Sequence, residues 1–229
     1  MLNSAGSVGA EWYVEALWHY LSKRKLLQGV SSVDVEFEQP AIPADGQVVF
    51  SLPHPEAEDL VMVFHVLRVP SIGGPKVPVP VARIRVHRAR RRRLTAGAPD
   101  APHHPYGIEI RERHLNQARQ VSWHTMVAMT MDVARRGAQF ADKAASDRAD
   151  PTRQYVVPRF AFTPLADAAA QPNLFVYPDF SLEQPWVAGR TSTAARVTIW
   201  AVAHDDPWPL ASSVVTVVRT SLMGGVRRP

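Results

Sequence analysis

The sequence predicts a β-rich α+β fold with antiparallel sheet, an N-terminal helix, one further short helix, and long hairpin or arm extensions. Short runs rich in Val, Ile and Phe alternate with proline, and the chain has 20 prolines against 12 glycines. Proline ends strands and stiffens connections, so this pattern favours sheet over helix. Because 46% of the 229 residues are hydrophobic, the chain can bury a substantial core, and we expect residues 1–229 to form a single domain.

Residues 8–28 show the clearest helical pattern. Apolar residues recur there at three- and four-residue spacing, at Ala10, Val14, Leu17 and Leu21. Ser7 is the expected N-cap, and Gly29 is expected to follow the end of the helix. Residues 134–149 predict the second, shorter helix, which ends before Pro151.

The segment SSVDVEFEQ predicts a half-exposed strand. Val33, Val35 and Phe37 alternate with acidic residues, and side chains alternate between the two faces of a sheet. The strand therefore carries an acidic outer face made of Asp34, Glu36 and Glu38.

Residues 69–120 are expected to form an extended arm or hairpin region. Pro75, Pro78 and Pro80 restrict the backbone to extended conformations at its start. A long hairpin over residues 106–134 is expected to turn near Asn116 and Gln117, with Trp123, Val127, Met129 and Met131 on its second arm. Between these parts, residues 94–105 predict a mobile loop, because they are rich in alanine and proline and lack apolar periodicity.

One short segment holds an unusual concentration of positive charge. Seven arginines lie within eleven positions, at Arg83, Arg85, Arg88, Arg90, Arg91, Arg92 and Arg93. Because the net charge of the whole chain is only +5, the rest of the protein is slightly acidic. The arginines can contact nucleic-acid phosphates, an acidic protein surface such as the face of Asp34, Glu36 and Glu38, or only solvent. No aromatic residues are interleaved with them, which disfavours a single-strand stacking platform.

The sequence shows no motif for catalysis, cofactor binding or metal binding. The absence of cysteine excludes disulfides, thiolate zinc sites and cysteine nucleophiles. His103 and His104 lie in a Pro/Ala loop without the rigid spacing of metal ligands. We therefore expect no catalytic residues, no cofactor, no metal and no evident small-molecule substrate. No signal peptide or transmembrane segment is evident, so we expect a soluble protein in the cytoplasm or in an assembled particle, without membrane contact.

These features favour a non-enzymatic structural subunit of a larger homo-oligomer or protein complex. The order of helix, alternating strand, long hairpin, short helix and further strands resembles that of phage-type tail and neck subunits, such as tail-terminator or adaptor proteins. One alternative is a nucleic-acid-binding subunit of an RNA-processing or guide complex that uses the arginine segment. A second alternative is a small-molecule enzyme on a sheet covered by the first helix, the arrangement of hot-dog proteins, with a pocket beside the final pair of strands.

Overall fold

The structure is a computed structural model that describes residues 9–27, 29–39, 46–51, 53–56, 61–70, 77–88, 107–145, 153–184, 186, 191–203 and 206–221. Two α-helices, one short 3-10 helix (Glu112–His114) and ten strands occur in these residues. In chain order the α-helices and strands are α1 (Ala10–Lys23), β1 (Val30–Phe37), β2 (Gly46–Phe50), β3 (His54–Glu56), β4 (Val61–Pro70), β5 (Val79–Arg88), β6 (Ile108–Glu109), α2 (Trp123–Ala145), β7 (Arg153–Pro164), β8 (Phe175–Leu182), β9 (Ser192–Ala203) and β10 (Asp206–Ser221).

The ten described strands form one sheet in the order β2-β4-β5-β1-β7-β10-β9-β8-β6, with β3 paired to β4. Every described strand pair is antiparallel. The predicted fold class, a β-rich α+β protein with antiparallel sheet and two helices, is confirmed.

The sheet contains the same arrangement twice. From the centre outwards, one half runs β1, β5, β4, β2 and the other runs β7, β10, β9, β8. Each half begins with a helix. In each half, the strand after the helix lies at the centre of the sheet, and the last strand of that half pairs with it. The two halves meet where β1 pairs with β7, with Val35 opposite Phe160.

The core lies between the helices and one face of the sheet. On β1, Val33 and Val35 are fully buried, whereas Asp34 and Glu36 point to the opposite face, as the alternation predicts. Helix α1 covers the first half of the sheet through ring contacts of Tyr13 with Phe37 and Phe50, and of Tyr20 with Phe64. Helix α2 contacts β7, β8, β9 and β10, and it also packs against α1.

Both helices differ in extent from the sequence prediction. Helix α1 ends at Lys23 because Lys25 adopts a left-handed conformation and the Leu26 N–H bonds the Leu21 carbonyl, which closes the helix before Gly29. Its N-cap is Gly9, and Ser7 lies outside the described residues. Helix α2 is 23 residues long and begins at Trp123, inside the segment expected to be the second arm of a hairpin.

The buried residues of this segment follow the spacing of a helix, although some of its apolar residues also alternate as they would in a strand. Its buried side chains recur every three or four residues, at Trp123, Val127, Thr130, Ala134 and Ala138. The segment therefore covers the second half of the sheet as a helix.

Part of the expected 69–120 arm lies inside the sheet. Strand β5 is paired on one side with β4 and on the other with β1. The predicted mobile loop 94–105 lies outside the described residues. Within the described part of the chain, neither helix is long and apolar enough to cross a membrane.

Candidate active site

The N-terminus of α2 is held by side-chain hydrogen bonds from the residues around it. The Ser122 Oγ accepts a hydrogen bond from the Thr125 N–H at 3.0 Å, as an N-cap residue does. The Thr125 hydroxyl in turn donates to the His114 carbonyl at 3.1 Å, and the Ser122 N–H donates to the same carbonyl at 2.9 Å. This network positions the first turn of α2 against the preceding loop.

A carboxylate from the other helix lies at this N-terminus. The His124 N–H donates to Glu15 Oε2 over 3.3 Å, and Glu15 Oε1 lies 3.3 Å from His19 Nε2 one turn further along α1. The positive end of the α2 dipole favours negative charge at this position. Glu15 therefore lies between a backbone donor of one helix and an imidazole of the other.

The surroundings of Glu15 are partly open. Its side chain is 17% exposed, and that of His19 is 38% exposed, so water reaches both. The Trp12 ring, also partly exposed, packs edge-on against the His124 ring with centroids 4.7 Å apart. The cluster therefore combines a carboxylate, two imidazoles and an N–H donor at an apolar wall, which are the groups used in general acid–base catalysis at a carbonyl.

An open cleft of about 290 Å³ lies on the segment that leads into α2. It is lined by Ile110, Arg111, Glu112, Leu115, Arg119, Ala170, Gln171 and Pro172. The Arg119 guanidinium lies 2.9 Å from the Glu112 carboxylate, and Arg111 lies 3.4 Å from Glu109. Because these charges are compensated, the cleft has little net attraction for an anion.

The imidazole of His114 lies beside this cleft. Burial, Arg113 and Arg111 together hold the pKa of His114 below its ordinary value. Its ring accepts a hydrogen bond from the Arg111 N–H at 3.0 Å. His114 is thus neutral at physiological pH and fixes the turn before α2 through both its ring and its carbonyl.

Arg83 and Arg85 of the predicted arginine segment lie beside Asp34 and Glu36 of the predicted acidic face, on the outer face of the sheet. In register, β5 places Arg85 opposite Asp34 and Arg83 opposite Glu36. The closest polar contacts are those of His87 Nε2 with Asp34 Oδ2, at 3.0 Å, and of Arg85 with Glu36, at 3.8 Å.

The remaining predicted interaction residues have different positions. Arg88 is opposite Val30 at the end of β5, and Glu38 follows β1, where its N–H bonds the Val81 carbonyl. Arg90, Arg91, Arg92 and Arg93 lie outside the described residues, so their partner stays a prediction. None of the described predicted interaction residues lies at the Glu15 cluster. Among the described residues, no group of three His, Asp or Glu side chains is placed to hold a metal ion.

Comparison with known proteins places this chain by its fold alone. No family model and no curated protein matches the sequence. Among solved structures, the chain is similar to the tesB protein of Mycobacterium avium subs paratuberculosis, with a TM-score of 0.56 at 13% identity over 96% of this chain and 90% of that one. It is similar to a 12:0-ACP thioesterase from Umbellularia californica, with a TM-score of 0.54 at 6% identity over 96% and 90%.

A third similar structure is a protein of unknown function with the hot-dog fold from Alicyclobacillus acidocaldarius, with a TM-score of 0.54 at 13% identity over 95% of this chain and 89% of that one. This chain therefore has the hot-dog fold. The repeated strand order indicates two hot-dog units, each a helix covered by antiparallel strands, joined in one sheet.

The prediction of a non-enzymatic structural subunit, such as a virion, tail or neck component, is wrong. Of the three solved structures above, which match nearly the whole chain, one is described by its hot-dog fold and the other two carry thioesterase or tesB names. The element order that resembled tail subunits is the order of two consecutive hot-dog units. Among the sequence-based interpretations, the small-molecule enzyme of hot-dog type agrees best with this fold.

Sequence reasoning missed Glu15, His19 and His124 as a group. Glu15 lies within the predicted first helix, where it was given no role, and His124 lies within the segment expected to be the second arm of a hairpin. The available signals were the i, i+4 spacing of Glu15 and His19 and the Ser-x-x-Thr pattern from Ser122 to Thr125. Neither signal indicates that α1 and α2 meet, which required the tertiary structure.

Proposed function

We propose that this protein is a small-molecule enzyme of hot-dog type that hydrolyses acyl thioesters. The observation that carries the proposal is the contact of the Glu15 carboxylate with the N-terminal N–H of α2, at a partly open position between the two helices. Thioesterase and tesB names among structures of the same fold indicate the substrate class.

The geometry supplies the groups that thioester hydrolysis needs. On substrate binding, the thioester carbonyl oxygen would replace Glu15 Oε2 as the acceptor of the His124 N–H, which lies at the positive end of α2 and would stabilise the negative charge that develops on that oxygen. Glu15 would accept a proton from a water molecule while the oxygen of that water forms a bond to the carbonyl carbon. When the carbon–sulfur bond breaks, the proton passes to the thiolate, so the products are a carboxylic acid and a thiol.

His19 acts in this proposal as a positioning residue. The His19 Nε2 contacts Glu15 Oε1, whereas the His124 N–H donates to the other oxygen, Oε2. His19 therefore holds the carboxylate toward the N-terminus of α2. Trp12 and the His124 ring close one side of the site and limit the access of bulk water.

The test is a hydrolysis assay on a panel of acyl-CoA thioesters of increasing chain length, with the released thiol as the readout. We expect turnover by the full chain, and we expect Glu15→Gln to lower kcat by roughly 100-fold or more, the usual contribution of a general base. Glu11→Gln is the matched control, because Glu11 lies one turn earlier on the same helix and outside the cluster. Absence of turnover with every thioester would overturn the function, and an active Glu15→Gln variant would overturn the site.

We also propose that the chain forms a homo-oligomer, as its sequence predicts. In the described residues, large apolar side chains are exposed at Phe140 (77%), Val156 (41%) and Phe175 (37%). Self-association would remove such surface from water. Light scattering at tens of micromolar should report a mass of two or more chains, and a strictly monomeric mass there would contradict the proposal.

A further inference from the structure

One buried hydroxyl in the core has no hydrogen-bond partner. The buried polar side chains of the described residues are Ser122, Thr125, Thr130, Asp142, Thr193 and Ser213. Five of these six form side-chain hydrogen bonds within the protein. The Ser213 Oγ forms none, although the residue is only 1% exposed. Such a group costs free energy, so its presence calls for a physical reason.

Ser213 faces the helix side of the sheet, close to the start of α2. On β10 it lies directly opposite Phe162 of β7 and Val197 of β9, both fully buried. The Phe162 ring packs against Trp123, the first residue of α2, with centroids 5.5 Å apart. Ser213 therefore lies one strand away from the first turn of the helix whose N–H takes part in the proposed site.

From this placement we infer that Ser213 forms a subsite for an oxygen substituent on the acyl chain of the substrate. The inference rests on the proposed function, since it assumes that the thioester lies at the start of α2. The cross-strand neighbours of Ser213 are Phe162 and Val197, both apolar. A hydroxyl or keto oxygen near the thioester would supply the hydrogen bond that Ser213 lacks, because a serine hydroxyl both donates and accepts.

Ser213 is therefore expected to affect the choice between substrates and not the chemical step itself. A site that hydrogen-bonds a substrate hydroxyl disfavours the analogue that lacks it, because the polar group of the protein then stays unpaired. If Ser213 were only a tolerated core residue, its removal would leave the choice between the two substrates unchanged.

The experiment compares two acyl-CoA thioesters of equal chain length, one with a 3-hydroxyl group and one without. We expect the wild-type kcat/KM to favour the hydroxylated substrate, and Ser213→Ala to reduce the ratio of the two values by roughly tenfold. The loss should fall mainly on the hydroxylated substrate. Ser213→Cys, which keeps the side-chain size but is a weak donor, should behave like Ser213→Ala.

Ser212→Ala is the control, because Ser212 lies on the same strand but points to the outer face, opposite Thr163 and Thr198. An unchanged ratio in Ser213→Ala with wild-type turnover would overturn the subsite and leave the proposed function intact. If the wild type hydrolyses neither thioester, the proposed function fails, and binding of the matching non-hydrolysable thioethers is measured by calorimetry. Equal affinity of the wild type for the hydroxylated and plain thioethers would then overturn the subsite as well.

Discussion

Asp142 is the most heavily bonded buried side chain of the described residues, and it ties the end of α2 to the sheet. It accepts hydrogen bonds from the Tyr155 hydroxyl at 2.6 Å, from Arg153 at 2.9 Å and from Arg219 at 2.8 Å. Arg219 also lies 5.9 Å from the centroid of the Trp186 ring. The carboxylate thereby joins the last turns of α2 to the start of β7 and the end of β10.

The protonation states of this group follow from its contacts. Burial of the Asp142 carboxylate acts to raise its pKa, but the Tyr155 hydrogen bond and the two arginines more than offset this, and the pKa falls below the ordinary 3.8. Burial, together with the bond to Asp142, raises the pKa of Tyr155 to about 12. The cluster therefore holds a carboxylate and a neutral phenol at neutral pH.

Replacement of Asp142 by asparagine should destabilise the protein at neutral pH. The change removes the charge that both arginines face, and we expect the free energy of unfolding to fall by about 2–4 kcal/mol. Urea denaturation provides the measurement. Because the pKa of Asp142 is lowered in the folded state, its stabilisation is present above pH 3.8 and is lost as the pH falls through the lowered value.

Asp132→Asn is the matched control for this prediction. Asp132 lies on the same helix, but its pair with Arg136 is exposed, and such pairs contribute about 0.5 kcal/mol or less. A loss in Asp142→Asn no larger than that of the control, or a difference between the two that does not shrink as the pH is lowered below 3.8, would refute the assigned role.

At the scale of elements, helix α2 is capped at its N-terminus by Ser122. Ser122 is buried, its Oγ accepts a hydrogen bond from the Thr125 N–H, and its hydroxyl donates to the Thr125 Oγ1, so it satisfies a backbone donor that would otherwise be unpaired inside the protein. The same turn presents the His124 N–H to Glu15. The cap thus links helix stability to the geometry of the proposed site.

Ser122→Ala should cost about 1 kcal/mol of unfolding free energy, the usual effect of removing a serine cap. Asp or Asn at this position should restore part of the loss, because each supplies a capping oxygen. Urea midpoints of the alanine and aspartate variants give the comparison. Equal stability of wild type and Ser122→Ala would show that the cap bond contributes nothing.

The outer face of β1 and β5 has a more modest energetic role. Arg85 and Glu36 are 30% and 48% exposed, and their 3.8 Å contact is screened by solvent. Cross-strand pairs of this kind add a few tenths of a kcal/mol and help to set the register. The described part of the arginine segment therefore stabilises pairing within the sheet, while any external contact of Arg83, Arg85 and Arg88 stays a prediction.

At the scale of the whole molecule, the two hot-dog units share a continuous sheet and a helix-to-helix contact. Strands β1 and β7 join the halves, and Glu15 of one half bonds His124 of the other. In this arrangement neither unit contains the proposed site alone, since α1 supplies the carboxylate and α2 supplies the backbone donor.

The sequence-based prediction that residues 1–229 form a single domain can be tested by unfolding. Shared hydrogen bonding and packing between the halves should make them unfold together, so circular dichroism and tryptophan fluorescence should give coincident urea transitions. Six tryptophans serve as probes, among them Trp18 on α1 and Trp123 on α2. Two separate transitions would indicate that the halves are independent domains.

Local patterns in the sequence were sufficient for the fold class. Alternation on β1 identified the buried and acidic faces, and three- to four-residue spacing identified α1, because both depend only on the geometry of a single element. The start of α2 was misinterpreted because its apolar residues at Trp123, Val127, Met129 and Met131 all fall on alternate positions, which fits one face of a strand as well as it fits a helix. Whether such a segment forms a strand or a helix depends on whether a neighbouring strand pairs with it.

By itself, the sequence determined the antiparallel β-rich class, the first helix and the concentration of arginine, because composition and periodicity record these directly. Only the tertiary structure decided that the chain contains two hot-dog units, that Glu15 meets the start of α2, and that Ser213 lies buried without a partner. Glu15 and His124 are 109 positions apart. No local pattern relates residues at that separation, since their contact arises from the packing of two helices on one sheet.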